Sequence, residues 1–278
     1  MSLLPKERSK MKVAAVTNEV APLTSPGSLK RIFEIAVEAG ITTFEARTVE
    51  GKRFPLLTGA AWETLKQASR TYGITYSAAS PGLFIGAGID SDLIDLHANQ
   101  LWSMSLDLAE KLETDTVITF APLRSVAGTE NEFERVAMLL GKVADSASQR
   151  GFQVQLENLP GTWADTSDSC LALLEAVGRS NFGYVWDTGN LYEAEGVTFE
   201  AGFEKLKPYI RNVHLKDGRL IDGKMVWEHY GTGVTNLKGQ IEALKAFGYE
   251  GTLALEAARI PHQEEDFETS LAYLKTIL

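Results

Sequence analysis

The sequence predicts a single (β/α)8 TIM barrel, and three observations support this fold class. Strand-like and helix-like segments alternate throughout the 278 residues, a pattern typical of parallel strands joined by helical crossovers. Eight strand-like segments fit into about 250 residues, which is the usual size of a closed barrel. An open doubly wound sheet is the alternative, but no G-x-G-x-x-G follows the first strand-like run, VAAVTNEV.

Each predicted strand is a short run rich in apolar, β-branched and aromatic residues. The eight runs begin near Val13, Thr43, Ile74, Thr116, Phe152, Gly183, Arg211 and Thr252. Amphipathic segments such as LKRIFEIAVEA and LKGQIEALKAF lie between the runs and predict the crossover helices. Glycines that would end four helices in the left-handed conformation are Gly40, Gly73, Gly151 and Gly248. The predicted N-caps are Thr58, Ser167 and Thr235.

The composition predicts one domain with a large core. The chain is 44% hydrophobic and 23% charged, so residues 11–278 are expected to form the barrel and residues 1–10 a flexible leader. A net charge of −10 disfavours nucleic acid as a partner. There is neither a membrane-length apolar run nor a secretory signal, which predicts a cytoplasmic protein without a membrane partner. The single cysteine, Cys170, is expected to be a core residue on a helix.

Four side chains that can bind a metal close the last four predicted strands. The runs GFQVQLEN, GYVWDTGN, RNVHLKD and GTLALEA end on Glu157, Asp187, His214 and Glu256. Residues two positions apart share a face of a strand, so each polar residue points to the same side as the residue two before it. Strand ends meet at one end of a barrel, and these residue types suit a divalent cation. The sequence therefore predicts one metal site.

The order of these residues resembles the xylose-isomerase-like TIM-barrel superfamily, from the first strand to the terminal helix. That group includes ketose 3-epimerases, inosose and dehydroshikimate dehydratases, hydroxypyruvate isomerases and three-zinc apurinic endonucleases. The resemblance implies one divalent cation, Mn²⁺ or Mg²⁺ foremost and otherwise Co²⁺ or Zn²⁺, on Glu157, Asp187, His214 and Glu256. It also implies that Glu157 and Glu256 are the catalytic acid and base. A cation beside a sugar carbonyl stabilises the enediolate that forms when the neighbouring proton leaves.

Two further residues are predicted to bind substrate because they follow His214. Lys216 shares the strand face of His214, although it could instead pair with Asp217 or with a carboxylate of a neighbouring strand. Arg219 opens the next loop, where the resemblance implies an arginine on a substrate oxygen. That loop, GRLIDGKMVWEHYGTGVTN, is long and is expected to lie on the active-site face and close over a ligand.

The other substrate-binding candidates are Glu45, Asn190 and Trp163. Glu45 matches an acidic position of the resembled family, with a buried pair to Arg47 as the alternative. Asn190 replaces a histidine of several relatives and could bond a sugar hydroxyl without carrying a proton. Trp163 could stack on a sugar or simply pack its loop. Strands 3 and 4 end in SAASPG and TFAPL, without the histidines that three zinc ions would need, which argues against endonuclease chemistry.

The expected function is that of a metal-dependent isomerase or epimerase acting on a ketose or related polyhydroxylated carbonyl compound. A dehydratase of the inosose or dehydroshikimate type is the first alternative, because the same enolate can expel a β-hydroxyl instead of being reprotonated. A barrel that binds metal and sugar without catalysis is the second alternative. The expected partner is a small sugar or polyol-derived molecule, and the resemblance also admits a homo-oligomer.

Overall fold

The computed structural model describes residues 11–22, 27–257, 259 and 262–278, so the predicted leader lies outside the described residues. These residues form twelve strands. In chain order they are β1 (Lys12–Val16), β2 (Thr43–Ala46), β3 (Thr48–Val49), β4 (Lys52–Arg53), β5 (Thr75–Ala79), β6 (Thr116–Phe120), β7 (Gln153–Glu157), β8 (Phe182–Asp187), β9 (Ile210–Leu215), β10 (Asp217–Ile221), β11 (Lys224–Glu228) and β12 (Thr252–Leu255). Eight of them close a parallel barrel in the order β1-β12-β9-β8-β7-β6-β5-β2. The predicted (β/α)8 barrel is confirmed.

Helices follow the barrel strands and cover the outside of the barrel. They are α1 (Ser28–Glu38), α2 (Gly59–Tyr72), α3 (Leu93–Leu96), α4 (Trp102–Lys111), α5 (Glu130–Ser148), α6 (Ser167–Val177), α7 (Thr188–Glu195), α8 (Glu200–Leu206), α9 (Leu237–Phe247) and α10 (Gln263–Ile277). Gly73 ends α2 at φ 69° and Gly248 ends α9 at φ 80°, as predicted. Cys170 is buried in α6. Within the described ranges, no helix is long and apolar enough to cross a membrane.

Of the three predicted N-caps, one is correct and two are displaced by one residue. The Thr58 side chain accepts a hydrogen bond from the Ala61 amide at the start of α2. Thr166, rather than Ser167, caps α6. Asn236, rather than Thr235, caps α9. In both corrected cases the predicted residue has another use for its hydroxyl, because Ser167 bonds Glu195 and Thr235 bonds Asp217.

Successive side chains of each barrel strand point alternately outward to the helices and inward to the barrel interior, where the site lies. In β8, Tyr184 and Trp186 pack outward against the helices, where Trp186 lies 5.1 Å from the ring of Phe203. Val185 lies between them in sequence and packs inside the barrel. Asp187 therefore continues the inward face at the carboxyl end of the strand. The same alternation operates in β7, β9 and β12, whose outward residues are leucine and valine.

Two hairpins extend the barrel at its carboxyl end. β3 pairs antiparallel with β4 directly after β2. β10 pairs antiparallel with β11 directly after β9, in the region that was predicted only as a long loop. The turn between β10 and β11 is Asp222–Gly223, with φ values of 50° and 74°. An Asp-Gly pair with both φ values positive matches the turn that suits a two-residue hairpin.

Candidate metal centre

The inward faces of β7, β8 and β9, and the residue after β12, bring four side chains together. One ligand atom each of Glu157, Asp187, His214 and Glu256 lies within 4.8 Å of the other three. All four residues are buried. Parallel pairing sets this convergence, because Asp187 is in register with His214 and Glu157 with Val185 of the adjacent strand.

The distances within this group fit a single divalent ion. His214 Nδ1 lies 3.2 Å from Glu157 Oε1 and 3.3 Å from Glu256 Oε1. Two ligands about 2.1 Å from a shared ion are separated by roughly 3.0–3.4 Å at octahedral or tetrahedral angles. Glu157 Oε2 is buried and has no hydrogen-bond partner among the described residues, which is costly unless a further group satisfies it. One imidazole and three carboxylates suit Mn²⁺, Mg²⁺, Co²⁺ or Zn²⁺.

Glu45 orients the histidine of this group. Its Oε2 lies 2.9 Å from His214 Nε2, and its Oε1 accepts a 2.6 Å hydrogen bond from the Asn212 side chain. A carboxylate on one ring nitrogen fixes the tautomer and leaves the other nitrogen, Nδ1, free to bind a metal. Glu45 is fully buried and its two carboxylate oxygens contact His214 and Asn212, so among the described residues its ion-pair partner is His214 and not Arg47.

Lys216 lies inside the group and contacts two of its carboxylates. Its Nζ is 2.8 Å from Asp187 Oδ2, 2.7 Å from Glu256 Oε2 and 3.1 Å from Asn190 Oδ1. This is the pairing with neighbouring strands that the sequence left open for Lys216. The Asn190 side chain also donates to the Asn158 carbonyl, and its backbone amide donates to Asp187 Oδ1. Asn190 therefore lies at the site with its amide already engaged.

The structure does not bring the two other candidates, Arg219 and Trp163, into the group. Arg219 lies in β10 and pairs at 3.0 Å with Glu228 of β11, and it also donates to the Thr232 carbonyl. Trp163 is buried, and the Arg124 guanidinium lies 4.9 Å from its ring centroid. These contacts match the loop-packing alternative for Trp163.

Two residues at the site were not among the predicted metal-binding or substrate-binding residues, although Arg47 was considered as a partner of Glu45. Arg47 donates to Glu256 and Glu19, and its Nε donates to Asn18 Oδ1 at 2.8 Å. Its position two residues after Glu45, on the same strand face, is the sequence signal that could have identified it. Asn158 accepts from the Asp187 amide at 3.0 Å and donates to the Asp187 carbonyl at 2.8 Å.

The neighbours give the ionisable groups of the site different proton affinities. Burial raises the pKa of Asp187 to about 6, although Lys216 opposes the shift. Burial also disfavours ionised Glu256, but Arg47 and Lys216 hold its pKa well below the usual value. Burial alone would lower the pKa of His214, but the carboxylates around it raise that pKa well above its ordinary value. Metal uptake would displace protons from Asp187 and His214.

The β10–β11 hairpin forms one wall above the site. The Trp227 ring centroid of β11 lies 5.5 Å from Lys216 Nζ. A Cβ atom at Gly189 would lie 2.6 Å from Lys216 Cβ and 2.8 Å from the Trp227 ring, so only glycine allows this close packing. Part of the region predicted as a long loop is thus a hairpin, and its Trp227 contacts Lys216 beside the four candidate ligands.

Comparisons with curated proteins find relatives over part of their length. An inosose dehydratase of Geobacillus thermodenitrificans is 29% identical over 158 residues, 51% of this chain and 53% of the relative. An inosose dehydratase of Yersinia enterocolitica is 30% identical over 157 residues, 50% of this chain and 52% of the relative. The chain therefore spans about half the length of these curated relatives.

Solved structures share the fold over nearly the whole chain. An L-ribulose 3-epimerase has a TM-score of 0.77 at 19% identity, over 96% of this chain and 94% of that one. A probable 3-DHS dehydratase of Bacillus anthracis has a TM-score of 0.73 at 20% identity, over 95% of this chain and 99% of that one. The IOLI protein with a zinc atom has a TM-score of 0.77 at 20% identity, over 96% and 98%. The sequence model of the xylose isomerase-like TIM barrel matches residues 33–277, and the chain therefore belongs to that family.

Proposed function

We propose that the protein is a divalent-metal-dependent dehydratase that removes water from a polyhydroxylated cyclic ketone. The unequal surroundings of two glutamates carry this proposal. Glu157 Oε2 is buried and unpartnered among the described residues, so it is available to accept a proton. Glu256 is held by Arg47 and Lys216 and is a poor proton carrier. The curated relatives named inosose dehydratase support the same class of reaction.

The chemistry is a β-elimination in which Glu157 handles the proton. A divalent cation held by the four ligands would draw electron density from the substrate carbonyl and acidify the adjacent C–H bond. Glu157 takes that proton, and the electron pair forms the C=C bond while the bond from the β-carbon to its hydroxyl breaks. The hydroxyl leaves with the proton from Glu157 as water, so atoms and charge balance. The Lys216 ammonium stabilises negative charge that develops on the substrate oxygens.

Epimerisation, the first expectation from the sequence, makes a demand that this site meets less well. Inversion at a carbon requires one group that removes the proton and a second, already protonated group that returns a proton from the opposite face. Glu256 would be the second group. Its two cationic partners stabilise the carboxylate and not the neutral acid. Removal and return of a proton by Glu157 alone suits elimination.

Incubation with an inosose, 3-dehydroshikimate and D-allulose in the presence of Mn²⁺ tests the proposal. We expect a product lighter by one water from one of the two ring ketones, detected by mass spectrometry. Glu157→Gln keeps the size and one oxygen ligand but removes the base, so it should lower the rate at least about a hundredfold. The metal content of the variant is measured in parallel, so that loss of metal is separated from loss of the base.

Two outcomes would contradict the proposal. Inversion of D-allulose at C3 without water loss from either ring ketone would identify an epimerase. Binding of a ketone without any product, in protein that retains its metal, would identify a non-catalytic sugar-binding barrel.

A further inference from the structure

Arg53 is a half-buried cation that has only neutral partners among the described residues. Its Nε donates to the Ser80 carbonyl and its Nη2 to the Ser80 hydroxyl, both at 2.9 Å. The neighbouring Arg47, in contrast, is paired with Glu256 and Glu19. Withdrawing a guanidinium from water is costly unless an anion compensates it. No described carboxylate forms a direct ion pair with Arg53.

The guanidinium of Arg53 is held through one edge, and the other edge is open in the sense that it has no hydrogen-bond acceptor among the described residues. Gly82 lies flat against it: a Cβ atom there would be 3.0 Å from Nε and 3.1 Å from Cζ. Gly82 has a φ of 71°, which favours glycine in any case. The Nε–Nη2 edge faces Ser80, while Nη1 and the second Nη2 proton have no acceptor among the described residues. Two parallel N–H donors on an open edge match the two oxygens of a carboxylate.

Arg53 and its partner Ser80 lie at the carboxyl end of the barrel. Ala78 of β5 packs inside the barrel, so Ser80, two residues further, faces the same way at the carboxyl end of that strand. Arg53 is close enough to Arg47, Glu157 and Glu256 for their charges to act on it. Burial, with the adjacent Arg47, lowers the pKa of Arg53 to about 10, as expected for a cation short of anionic partners.

We propose that Arg53 determines specificity by binding a carboxylate of the substrate through its open Nη1–Nη2 edge. This inference rests on the proposed function and names its substrate class: a polyhydroxylated ring ketone that carries a carboxylate. A carboxylate fits better than a phosphate, because a single guanidinium edge matches one charge and two oxygens. The hydroxyl and carbonyl oxygens of the substrate remain for the metal-binding group.

Shikimate and its methyl ester test the inference without turnover. The two molecules share a ring and three hydroxyls, lack the ketone and differ in the carboxylate charge. Isothermal titration calorimetry on Mn²⁺-loaded protein should show that shikimate binds about tenfold or more tightly than the ester, the range of a charge-assisted hydrogen-bonded pair. Arg53→Met should abolish that preference, and Arg53→Lys should retain only part of it. Arg135→Met, which removes a surface arginine paired with Asp90, is the matched control.

The binding ratio separates recognition from a structural role. A merely structural Arg53 would, on substitution, lower the thermal unfolding temperature and weaken both ligands equally. Wild-type protein that fails to prefer the acid, whether both ligands bind or neither does, overturns the inference. If Arg53→Met does not fold, an undiminished preference in Arg53→Lys overturns it. Because shikimate cannot undergo the elimination, failure of the dehydratase assay leaves this result unaffected.

Discussion

Three glutamates surround the ring of His214, and their contacts give them different roles. Glu45 lies on Nε2, whereas Glu157 and Glu256 lie beside Nδ1. Glu45 has both oxygens engaged and positions the ring. Glu256 is neutralised by two cations, and Glu157 keeps one oxygen without a partner among the described residues. Three identical side chains around one ring thus differ in role because different residues contact their remaining oxygens.

Substitution of Glu45 tests its positioning role. Glu45→Gln keeps the volume but removes the charge that orients and polarises His214, so metal affinity should fall about 10- to 100-fold. Competition with a chromophoric chelator measures the affinity without reference to activity. Glu63→Gln, on the exposed face of α2, is the control. Unchanged affinity in Glu45→Gln would show that the ring is held by its packing alone.

The convergence of the four candidate metal ligands could be predicted from the sequence, whereas most of the contacts that surround them could not. Glu157, Asp187, His214 and Glu256 could be identified because strand period and parallel topology together place strand ends side by side. The contact between Arg47 and Glu256 spans 209 residues and depends on closure of β1 against β12 and β2. Arg219 was predicted to bind a substrate oxygen and stays a prediction, while its pairing with Glu228 follows from the β10–β11 hairpin, which was not predicted.

The β10–β11 hairpin is held at its base by one buried carboxylate. Asp217 accepts hydrogen bonds from the backbone amides of Gly218, Gly231, Gly233 and Thr235, at 2.8 to 3.2 Å. A Cβ atom at Gly233 would lie 2.2 Å from Asp217 Oδ1, so the loop approaches the carboxylate as closely as a glycine permits. This arrangement keeps Trp227 against Lys216 above the metal-binding group.

Loss of the Asp217 charge should loosen the hairpin while the barrel stays folded. In Asp217→Asn one acceptor oxygen becomes an amide donor that faces backbone N–H groups. The expected loss in free energy of unfolding is about 1–3 kcal/mol, the cost of leaving buried polar groups unpaired. Urea denaturation measures the loss, and hydrogen exchange should show it concentrated in residues 217–235. Asp222→Asn at the hairpin turn, where asparagine also tolerates a positive φ, should change neither measurement.

At the scale of the secondary-structure element, the sequence contains a signal for the β10–β11 hairpin that was not recognised. The Asp222–Gly223 pair between two short alternating runs is a signal for a two-residue hairpin. The region was nevertheless predicted as a loop, because glycine and aromatic content dominated the pattern. The two displaced helix caps have a similar cause: several residues that can cap stand together, and only tertiary contacts decide which of them does.

At the scale of the whole molecule, the barrel concentrates charge at one end. Five buried or nearly buried carboxylates, from Glu19, Glu45, Glu157, Asp187 and Glu256, meet the cations of Arg47 and Lys216 there. The fold and the family could be predicted because they follow from periodicity and ligand order. The proposed preference for a dehydratase over an epimerase could not, because that proposal rests on which glutamate Arg47 and Lys216 contact.

The excess of carboxylates predicts that metal binding releases protons and changes the stability of the fold. With its pKa raised to about 6, Asp187 is increasingly protonated below pH 6, and protonated carboxyl competes with metal. His214, whose pKa is also raised, must lose its proton when a metal binds Nδ1. Metal affinity should therefore fall as the pH drops from 7.5 to 5.5. At pH 7.5, uptake should release about one proton, measured by calorimetry in buffers of different ionisation enthalpy.

The raised pKa of Asp187 also determines how the stability of the metal-free protein changes with pH. A carboxyl whose folded pKa lies above its unfolded value stabilises the metal-free fold at low pH and loses that contribution as the pH rises through about 6. A bound metal offsets the cost of burying the ionised Asp187 carboxylate. Added Mn²⁺ should therefore raise the unfolding temperature more at pH 7.5 than at pH 5.5. At 100 times the dissociation constant the stabilisation is about 2.7 kcal/mol. Equal metal affinity at both pH values, without proton release, would mean that the ion binds outside this group of ligands.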